Sequence, residues 1–451
     1  MAQPRPVSIR PTLHKLFPAP LLHGWARVSG AVKRRRRVDP VDLFWCLVLG
    51  FGFGNERSLA GLRRNYERAT RRRIEESSFY DRFTPGLVRM LKLAVGHALT
   101  RSMSAGRPLL GALKQFADVL ITDSTVVKLH DLLAGAFPGS RTNSSKAALK
   151  AHAIVSVSGA GKQSIKLTPG RRHDCPVLRI GPWVRGRLFL FDLGYFSYRL
   201  FARIDECGGY FLARLKVSAN PKITAVHHGP EGHLVGERLL DILTGLKREI
   251  LDVEVEVELE RRRYAGKQRK DTARLRVVGV RDTETRIFHL YITNVPPVRL
   301  GAEDVRATYA LRWEIELLFR ELKEHYRLDQ FPSRKQPVVE ALLYAAILTL
   351  LVSRALLSML RRRFARTGAR IPPARFAVLF SVLASDLLAL VLGRAGPFSR
   401  YLDRWVMRTL RFEAADPNRN RRGLLAAVET RTHAYVKRPR RNAAKPCLHA
   451  A

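Results

Sequence analysis

The spacing of apolar and polar residues divides the chain into three parts. Residues 1–110 carry apolar positions at helical spacing, beginning with a run at 41–49 that follows a cap-like Asp39-Pro40. From Phe116 the pattern changes to short continuous apolar runs and to period-two alternation, which favour strands. After residue 336, two apolar stretches at 338–360 and 376–392 are typical of buried helices. The pattern therefore predicts a mixed α/β centre between two helical regions.

The middle part contains strands and one connecting helix, at residues 198–206. The strands are predicted at 119–123, 151–157, 164–167, 187–192, 210–215, 252–259, 274–280 and 289–294. Two of these strands end in an acid, Asp123 and Asp192. If those two strands are neighbours in the sheet, the two carboxylates converge.

Residues 303–330 contain neither Gly nor Pro, and their composition predicts one long helix. At 100° per residue its polar side groups four residues within about 60° of one another. They are Tyr309, Arg312, Glu316 and Lys323. Leu311, Ile315, Leu318 and Leu322 fall on the opposite side, so one face is expected to be buried and the other to present an acid among cations.

The charge of the chain is far from balanced. The 451 residues include 80 Lys and Arg against 39 Asp and Glu, a formal net charge of +41, so nucleic acid is the first candidate partner and an acidic membrane surface the second. Four separated cysteines without zinc-site spacing indicate reduced thiols. The most membrane-like stretch, residues 341–353, is shorter than the roughly 20 residues of a span, which favours a buried core helix.

Asp123, Asp192 and Glu316 together provide three carboxylates, the donors that Mg²⁺ or Mn²⁺ prefers. Two such ions can activate an attacking oxygen and stabilise a leaving oxygen in phosphodiester chemistry. Arg312 and Lys323 lie where they could contact phosphate. The three acids are therefore the candidate metal ligands and catalytic residues.

Other residues compete for these roles. Asp118 and Asp174 are alternatives to Asp123, but Asp118 starts its strand and Asp174 lies in a loop, where it could also hydrogen-bond His173. Glu314 and Glu321 lie more than about 100° from Glu316 around the helix. His227, His228 and His233 crowd a Gly/Pro loop without an evident fourth zinc ligand, which favours a surface loop.

The spacing Tyr309-x2-Arg312-x3-Glu316-x6-Lys323 resembles the Tyr-Arg-Glu-Lys signature of bacterial insertion-sequence DDE transposases. Asp123 in TDST and Asp192 in FDLGY are similar to the first two acids of that family. The resemblance covers about residues 115–335. It implies a ribonuclease-H-like core at 111–335, with a β-rich insertion at 217–285 before the last acid.

The resemblance also implies an activity: nicking at the element ends with Mg²⁺ or Mn²⁺, two ions held by Asp123, Asp192 and Glu316, followed by strand transfer into target DNA. Tyr309, Arg312 and Lys323 are then expected to bind DNA near the scissile phosphate. Its partners would be the terminal inverted repeats and the target DNA, with a dimer on paired ends. Whether the cleaved end passes through a DNA hairpin stays open.

The flanking regions carry separate expectations. Residues 1–110 are predicted as a helical, basic DNA-binding domain, because arginines there alternate with Tyr66, Phe79, Tyr80 and Phe83; the alternative is a solvated basic bundle. Residues 336–451 are predicted as a helical region with a basic tail that includes 437–441. A bacterial cytoplasmic location on the nucleoid, without a membrane span, is expected.

Two other functions remain open at this point. One is a catalytically inactive, transposon-derived DNA-binding protein, although all three acids are present. The other is a basic protein that associates with RNA or the ribosome, which accounts for the charge and leaves the acids without a role.

Overall fold

A computed structural model describes residues 8–34, 38–51, 58–103, 108–140, 145–159, 163–229, 232–260, 270–328, 333–364, 370–417 and 424–429. The basic segment 437–441 and most of the turn after residue 260 lie outside these ranges. Along the chain, helices precede and follow the strands of a central sheet, as the apolar pattern predicts.

The described part of the N-terminal region contains six helices. They are α1 (Ile9–Leu16), α2 (Ala19–Val28), α3 (Pro40–Leu49), α4 (Leu59–Thr70), α5 (Glu76–Tyr80) and α6 (Pro85–Met103). Asp39 caps α3 as expected, because its Oδ1 accepts hydrogen bonds from the backbone N–H groups of Val41 (2.7 Å) and Asp42 (3.3 Å). Tyr66, Phe79 and Phe83 are buried in the core, so these rings do not support DNA binding by residues 1–110.

Nine strands form one mixed sheet in the order β3-β2-β1-β4-β5-β9-β8-β7-β6. They are β1 (Asp118–Lys128), β2 (Ala148–Ser156), β3 (Ser164–Pro169), β4 (Arg187–Phe191), β5 (Tyr210–Arg214), β6 (Lys222–Val226), β7 (Ile250–Glu260), β8 (Lys270–Arg281) and β9 (Phe288–Thr293). Strands β1, β4 and β5 are parallel, and β2 and β3 add antiparallel pairs at one side. This confirms the predicted mixed α/β fold of ribonuclease-H-like type.

The β-rich insertion predicted at 217–285 provides β6, β7 and β8, and these strands continue the central sheet. β9 joins them to it, because it pairs antiparallel with both β5 and β8. A short helix, α8 (Leu239–Ile242), lies between β6 and β7. The insertion is therefore part of the same sheet as the candidate acids.

The sheet is covered on both faces. On one face, helix α7 (Tyr198–Glu206) packs its buried Leu200, Phe201 and Ile204 on the sheet, with the rings of Phe201 and Phe211 stacked at 4.1 Å. Val119 and Ile121 of β1 point to the other face, into the core that contains the N- and C-terminal helices. Successive strand residues thus enter opposite layers, as the pleat requires.

The prediction of one long helix at 303–330 is wrong, because two helices form there: α9 (Ala302–Ala310) and α10 (Trp313–Glu324). At the junction, the N–H groups of Leu311 and Arg312 bond to carbonyls three residues earlier, which tightens the chain and interrupts the α-helical ladder. α9 packs on β7 and β8, whereas α10 packs on β1. The break therefore lets each helix bury its own face on a different part of the sheet, and residues 329–330 lie outside the described ranges.

The C-terminal region is helical. It contains α11 (Gln336–Arg363), α12 (Pro373–Val382), α13 (Ala384–Val391), α14 (Ser399–Phe412) and α15 (Leu424–Glu429). Among the described residues, α11 is the one helix long and apolar enough to cross a membrane, and the pair α12 and α13, bent by 68°, passes the same test together. Because 78% of the apolar window of α11 is buried inside the fold, the structure confirms the core helix predicted at 341–353.

A buried ion pair links the insertion strands to the segment that leads into α9. Arg276 on β8 donates two hydrogen bonds to Asp252 on β7, at 2.7 and 2.6 Å. Its Nη1 donates to the carbonyls of Val295 (3.1 Å) and Leu300 (2.7 Å). Both side chains are almost fully buried, so neither charge can be solvated if its partner is lost.

We expect Asp252→Ala to lower the free energy of unfolding by about 3–5 kcal/mol, because it leaves Arg276 buried and unpaired. Urea unfolding followed by circular dichroism measures this. The matched control is Glu249→Ala, which removes the exposed pair between Glu249 and Arg286 and should cost less than about 1 kcal/mol. Equal losses in the two variants would contradict this reading of the pair.

Candidate active site

Asp123 and Asp192 lie beside each other at the centre of the sheet. β1 and β4 pair in parallel with Thr122 opposite Phe191, so the next residue on each chain is one of the two acids. Val119 and Ile121 share one face with Leu188 and Leu190, and period-two alternation puts Asp123 and Asp192 on that face too. The two strands are therefore neighbours, which was the condition for the two carboxylates to converge.

The expectation that Asp123 ends its strand is wrong. β1 runs on to Lys128, because the antiparallel pairing with β2 continues from Asp123 opposite Ala153 to Lys128 opposite Ala148. Only the pairing with β4 stops at Thr122. Asp123 is therefore held in a strand on one side while its other side faces the turn after β4.

That turn begins at Asp192. The chain forms a short 3₁₀ turn over Leu193–Tyr195, and the N–H of Tyr195 bonds to the Asp192 carbonyl at 3.0 Å. The Tyr195 ring is buried and contacts the Phe191 ring at 5.6 Å, which fixes the turn against the α7 side of the sheet. The Asp192 side chain stays 44% exposed.

Helix α10 brings Glu316 and Arg312 to these acids. Arg312 Nη2 lies 2.6 Å from Glu316 Oε1, and Arg312 Nε lies 4.0 Å from Asp192 Oδ1. Glu316 stands in the first turn of α10, where the helix dipole favours an acid. Arg312 is largely buried and connects the acid after β4 to the acid of the helix.

The electrostatics of Asp123 record the same convergence. Burial raises the pKa of Asp123, the Ser124 N–H (2.7 Å from Oδ1) opposes this, and the charge of Asp192 raises the pKa further, to about 6. The charge of Arg312 lowers it. The pKa of Asp123 thus depends on the charges of both Asp192 and Arg312.

Tyr309 and Lys323 occupy less accessible positions than the helical wheel predicts. The Tyr309 ring packs against Tyr291 at 5.2 Å between centroids, and burial raises the pKa of Tyr309 to about 12. Within the described part of the chain, neither the Tyr309 hydroxyl nor Arg312 Nε has a hydrogen-bond partner, although both atoms are buried. Lys323 is half-buried in the last turn of α10, about 10 Å along the axis from Glu316.

Sequence reasoning considered Asp174 as an alternative to Asp123 or as a loop partner of His173, but it did not predict the contacts that Asp174 makes. Its Oδ1 accepts a hydrogen bond from Ser124 Oγ (2.7 Å) and lies 3.3 Å from both Lys150 Nζ and His152 Nδ1. Burial raises the pKa of Asp174, but hydrogen bonds from His152 and Ser124 and the charge of Lys150 outweigh it and lower the pKa to about 2. The period-two spacing of Lys150 and His152, which puts both on one face of β2, is the signal that could have indicated a buried acid.

Asp174 also lies near the turn after Asp192. A Cβ added to Gly194 would stand 3.7 Å from Asp174 Oδ2. Ser124 and Gly194 belong to the two segments that carry Asp123 and Asp192. Asp174 therefore hydrogen-bonds the residue after Asp123 and lies near the turn after Asp192.

The other competing acids have structural partners. Asp118 faces away from Asp123 along the strand, and it accepts hydrogen bonds from Ser156 Oγ (2.6 Å) and from the N–H of Ser158 (3.1 Å). Glu321 is buried against Arg354 and the Tyr326 hydroxyl. Glu314 is exposed. By contrast, Asp123 lies on β1 and Asp192 directly follows the neighbouring strand β4, and Arg312 lies between Asp192 and Glu316.

The donor set fits a hard divalent cation in its chemistry, since it consists of carboxylate oxygens around a buried acid. As the side chains lie, however, the described residues contain no group of three or more His, Cys, Asp or Glu able to hold a metal ion. Arg312 supplies the positive charge between Asp192 and Glu316. His227, His228 and His233 likewise belong to no such group.

Comparison with known proteins places the chain in a family. The family model described as "Transposase DDE domain" matches residues 114–352, which contain all three acids. Along its length the chain is similar to the transposase for insertion sequence element IS231D of Bacillus thuringiensis subsp. finitimus, with 24% identity over 77% of this chain and 79% of the relative. It is also similar to the IS231B transposase of Bacillus thuringiensis subsp. berliner, with 22% identity over 75% and 77%.

A third relative is more distant in source. The transposase for insertion sequence element IS1151 of Clostridium perfringens is 24% identical over 53% of this chain and 56% of its own length. All three relatives are transposases of insertion sequences. Because the family match spans more than half of its residues, the chain belongs to the transposases with a DDE domain.

Proposed function

We propose that this transposase cleaves DNA at the ends of its insertion sequence and joins them to target DNA, with Asp123, Asp192 and Glu316 as the catalytic triad. The observation that carries the proposal is that β1 and β4 bring Asp123 and Asp192 side by side, while Arg312 lies between Asp192 and Glu316 of α10. The family match and the relatives' names support the transposase activity and DNA as the partner.

The three carboxylates would hold Mg²⁺ or Mn²⁺, two ions in our proposal. Bound there, the ions would supply charge neutralisation for phosphodiester cleavage. The protein's own contribution is positional. The β1–β4 register fixes Asp123 beside Asp192, and α10 presents Glu316 from above the sheet.

Arg312, Tyr309 and Lys323 are proposed to bind DNA near the scissile phosphate, in the Tyr-Arg-Glu-Lys arrangement. Arg312 Nε and the Tyr309 hydroxyl are buried polar atoms that lack partners among the described residues, so a phosphate oxygen would satisfy donors that are already desolvated. The guanidinium carbon of Arg312 lies 5.7 Å from the centre of the Tyr309 ring, which keeps the two side chains together.

The domain roles remain part of this proposal. Residues 1–110 would contribute to DNA binding by their charge, residues 111–335 would form the catalytic domain, and 336–451 would complete the helical support. Two chains would act on paired element ends. The alternative is an inactive DNA-binding descendant of such an element, and cleavage separates the two.

We expect Asp123→Asn, Asp192→Asn and Glu316→Gln each to lower the rate of cleavage of element-end DNA by more than about 100-fold, because loss even of a residue that supports a metal ligand reaches that range. Cleavage by the unchanged protein should also stop when a chelator removes divalent cations.

The matched control is Glu314→Gln, an exposed acid two residues from Glu316 on the same helix. It should cleave at close to the normal rate, and gel shifts should show that all four variants still bind the DNA. Cleavage retained by Asp123→Asn in a preparation free of contaminating nuclease would contradict the assignment of Asp123 as a catalytic residue.

We expect Asp174→Asn to lower turnover about 10-fold or more while DNA affinity stays unchanged, because the amide keeps the shape of the side chain but loses the charge that holds Lys150 and His152. Single-turnover cleavage and anisotropy binding measure the two effects separately. Asp282→Asn, which alters a surface cluster with Arg306, serves as the control and should leave turnover unchanged. Turnover within twofold of normal for Asp174→Asn would exclude the positioning role.

A further inference from the structure

Helix α14 exposes a stripe of aromatic rings. Phe398, which precedes it, is 72% exposed, Tyr401 is 65%, Trp405 is 41% and Phe412 is 60% exposed. At 100° per residue these four positions and Arg408 lie within about 80° of one another. The buried side of α14 is built by Val406, Met407 and Leu410, so these rings are not needed for the core. A contiguous row of exposed rings marks an interaction surface.

Arginines accompany the rings along the same helix. Arg400, Arg404 and Arg408 are exposed, and Arg411 is half-buried. The guanidinium carbon of Arg411 lies 4.8 Å from the Phe412 ring centre and 4.3 Å from that of Phe364. The acid within α14, Asp403, faces inward and accepts a hydrogen bond from the N–H of Ile9 at 2.9 Å. Outside the helix, Glu413 is the next acid.

This combination of side chains selects among the possible occupants. Two copies of the stripe would bring eight arginines together, which like-charge repulsion disfavours. Rings alternating with cations match single-stranded nucleic acid, whose exposed bases stack on aromatic side chains while its phosphates pair with arginine. A closed duplex offers the phosphates but keeps its bases stacked inside.

The stripe is connected to the candidate active site through one helix. α14 packs on α12, and α12 packs on α10, the helix that carries Glu316.

We propose that the α14 stripe is a binding site for single-stranded DNA, with bases stacked on Tyr401, Trp405 and Phe412 and phosphates held by Arg404 and Arg408. The inference goes beyond the proposed cleavage chemistry, because binding at this surface requires neither the three acids nor a metal ion. In the reaction, the stripe would hold a strand unpaired near the cleaved end.

The test measures the affinity of the full chain for an oligothymidine and for a duplex of equal length, by fluorescence anisotropy with a chelator present. The triple variant Tyr401→Ala/Trp405→Ala/Phe412→Ala should bind oligothymidine about 10-fold or more weakly, and the duplex within twofold of normal. Arg404→Ala/Arg408→Ala should weaken both and should reduce the log–log salt slope for oligothymidine by about 0.7 per lost phosphate contact.

Two controls make the result specific. Leu132→Ala/Val298→Ala removes exposed apolar side chains elsewhere and should change neither affinity. The single variant Trp405→Phe keeps an aromatic ring and should retain most of the oligothymidine affinity of the normal protein. It should also lose any tryptophan fluorescence change that oligothymidine causes at this position. Thermal melting checks that all variants fold, as substitutions of exposed side chains should permit.

Three outcomes would overturn the inference. The first is unchanged oligothymidine affinity in the triple variant. The second is a shift from dimer to monomer in sedimentation with oligothymidine binding intact, which would identify a second copy as the occupant. The third is that the triple variant loses binding to anionic lipid vesicles while its affinity for oligothymidine is unchanged, which would identify a lipid surface as the occupant. Asp123→Asn should bind oligothymidine normally, so failure of the catalytic proposal and failure of this one are distinguishable.

Discussion

The parallel register between β1 and β4 is the constraint on which the rest of the site depends. It puts Asp123 beside Asp192 on one face of the sheet, and two neighbouring carboxylates repel each other unless positive charge lies near them. Burial and Asp192 raise the pKa of Asp123 to about 6, against the Ser124 N–H and the charge of Arg312. The strand pairing, made by hydrophobic residues, therefore brings two acids together, and a positive charge from another element is needed to reduce their repulsion.

Arg312, at the start of α10, supplies that positive charge. The arginine, which directly precedes α10, contacts Glu316 of that helix and approaches Asp192, so the same cation connects helix and sheet. The tightened turn at Leu311 and Arg312 matters here, because it frees α10 to lie over β1 while α9 stays on β7 and β8. Asp174 braces the opposite side through Ser124. Charged side chains therefore lie near both faces of β1, with Arg312 on the α10 side and Asp174 on the other.

Much of this was accessible from the sequence. Strong apolar runs predicted most helices and strands, whereas the order of the strands in the sheet was not predicted, because local patterns do not specify which strands pair. The break between α9 and α10 was not predictable, because Leu311 and Arg312 are good helix formers and the cause is packing on two different strands. Asp123 was expected to end its strand because local sequence does not reveal pairing with β2. Buried Tyr309 and the Asp174 cluster depend on tertiary contacts that helical and strand periodicity do not specify.

In the proposed reaction, Asp123, Asp192 and Glu316 work as one unit. The most direct measurement is single-turnover cleavage of element-end DNA by each single variant, Asp123→Asn, Asp192→Asn and Glu316→Gln, and by the triple variant. Groups that act together lose nearly everything with the first substitution, so the triple variant should be no slower than any single one. Losses that multiply from one substitution to the next, or a single variant that cleaves normally, would contradict a shared site.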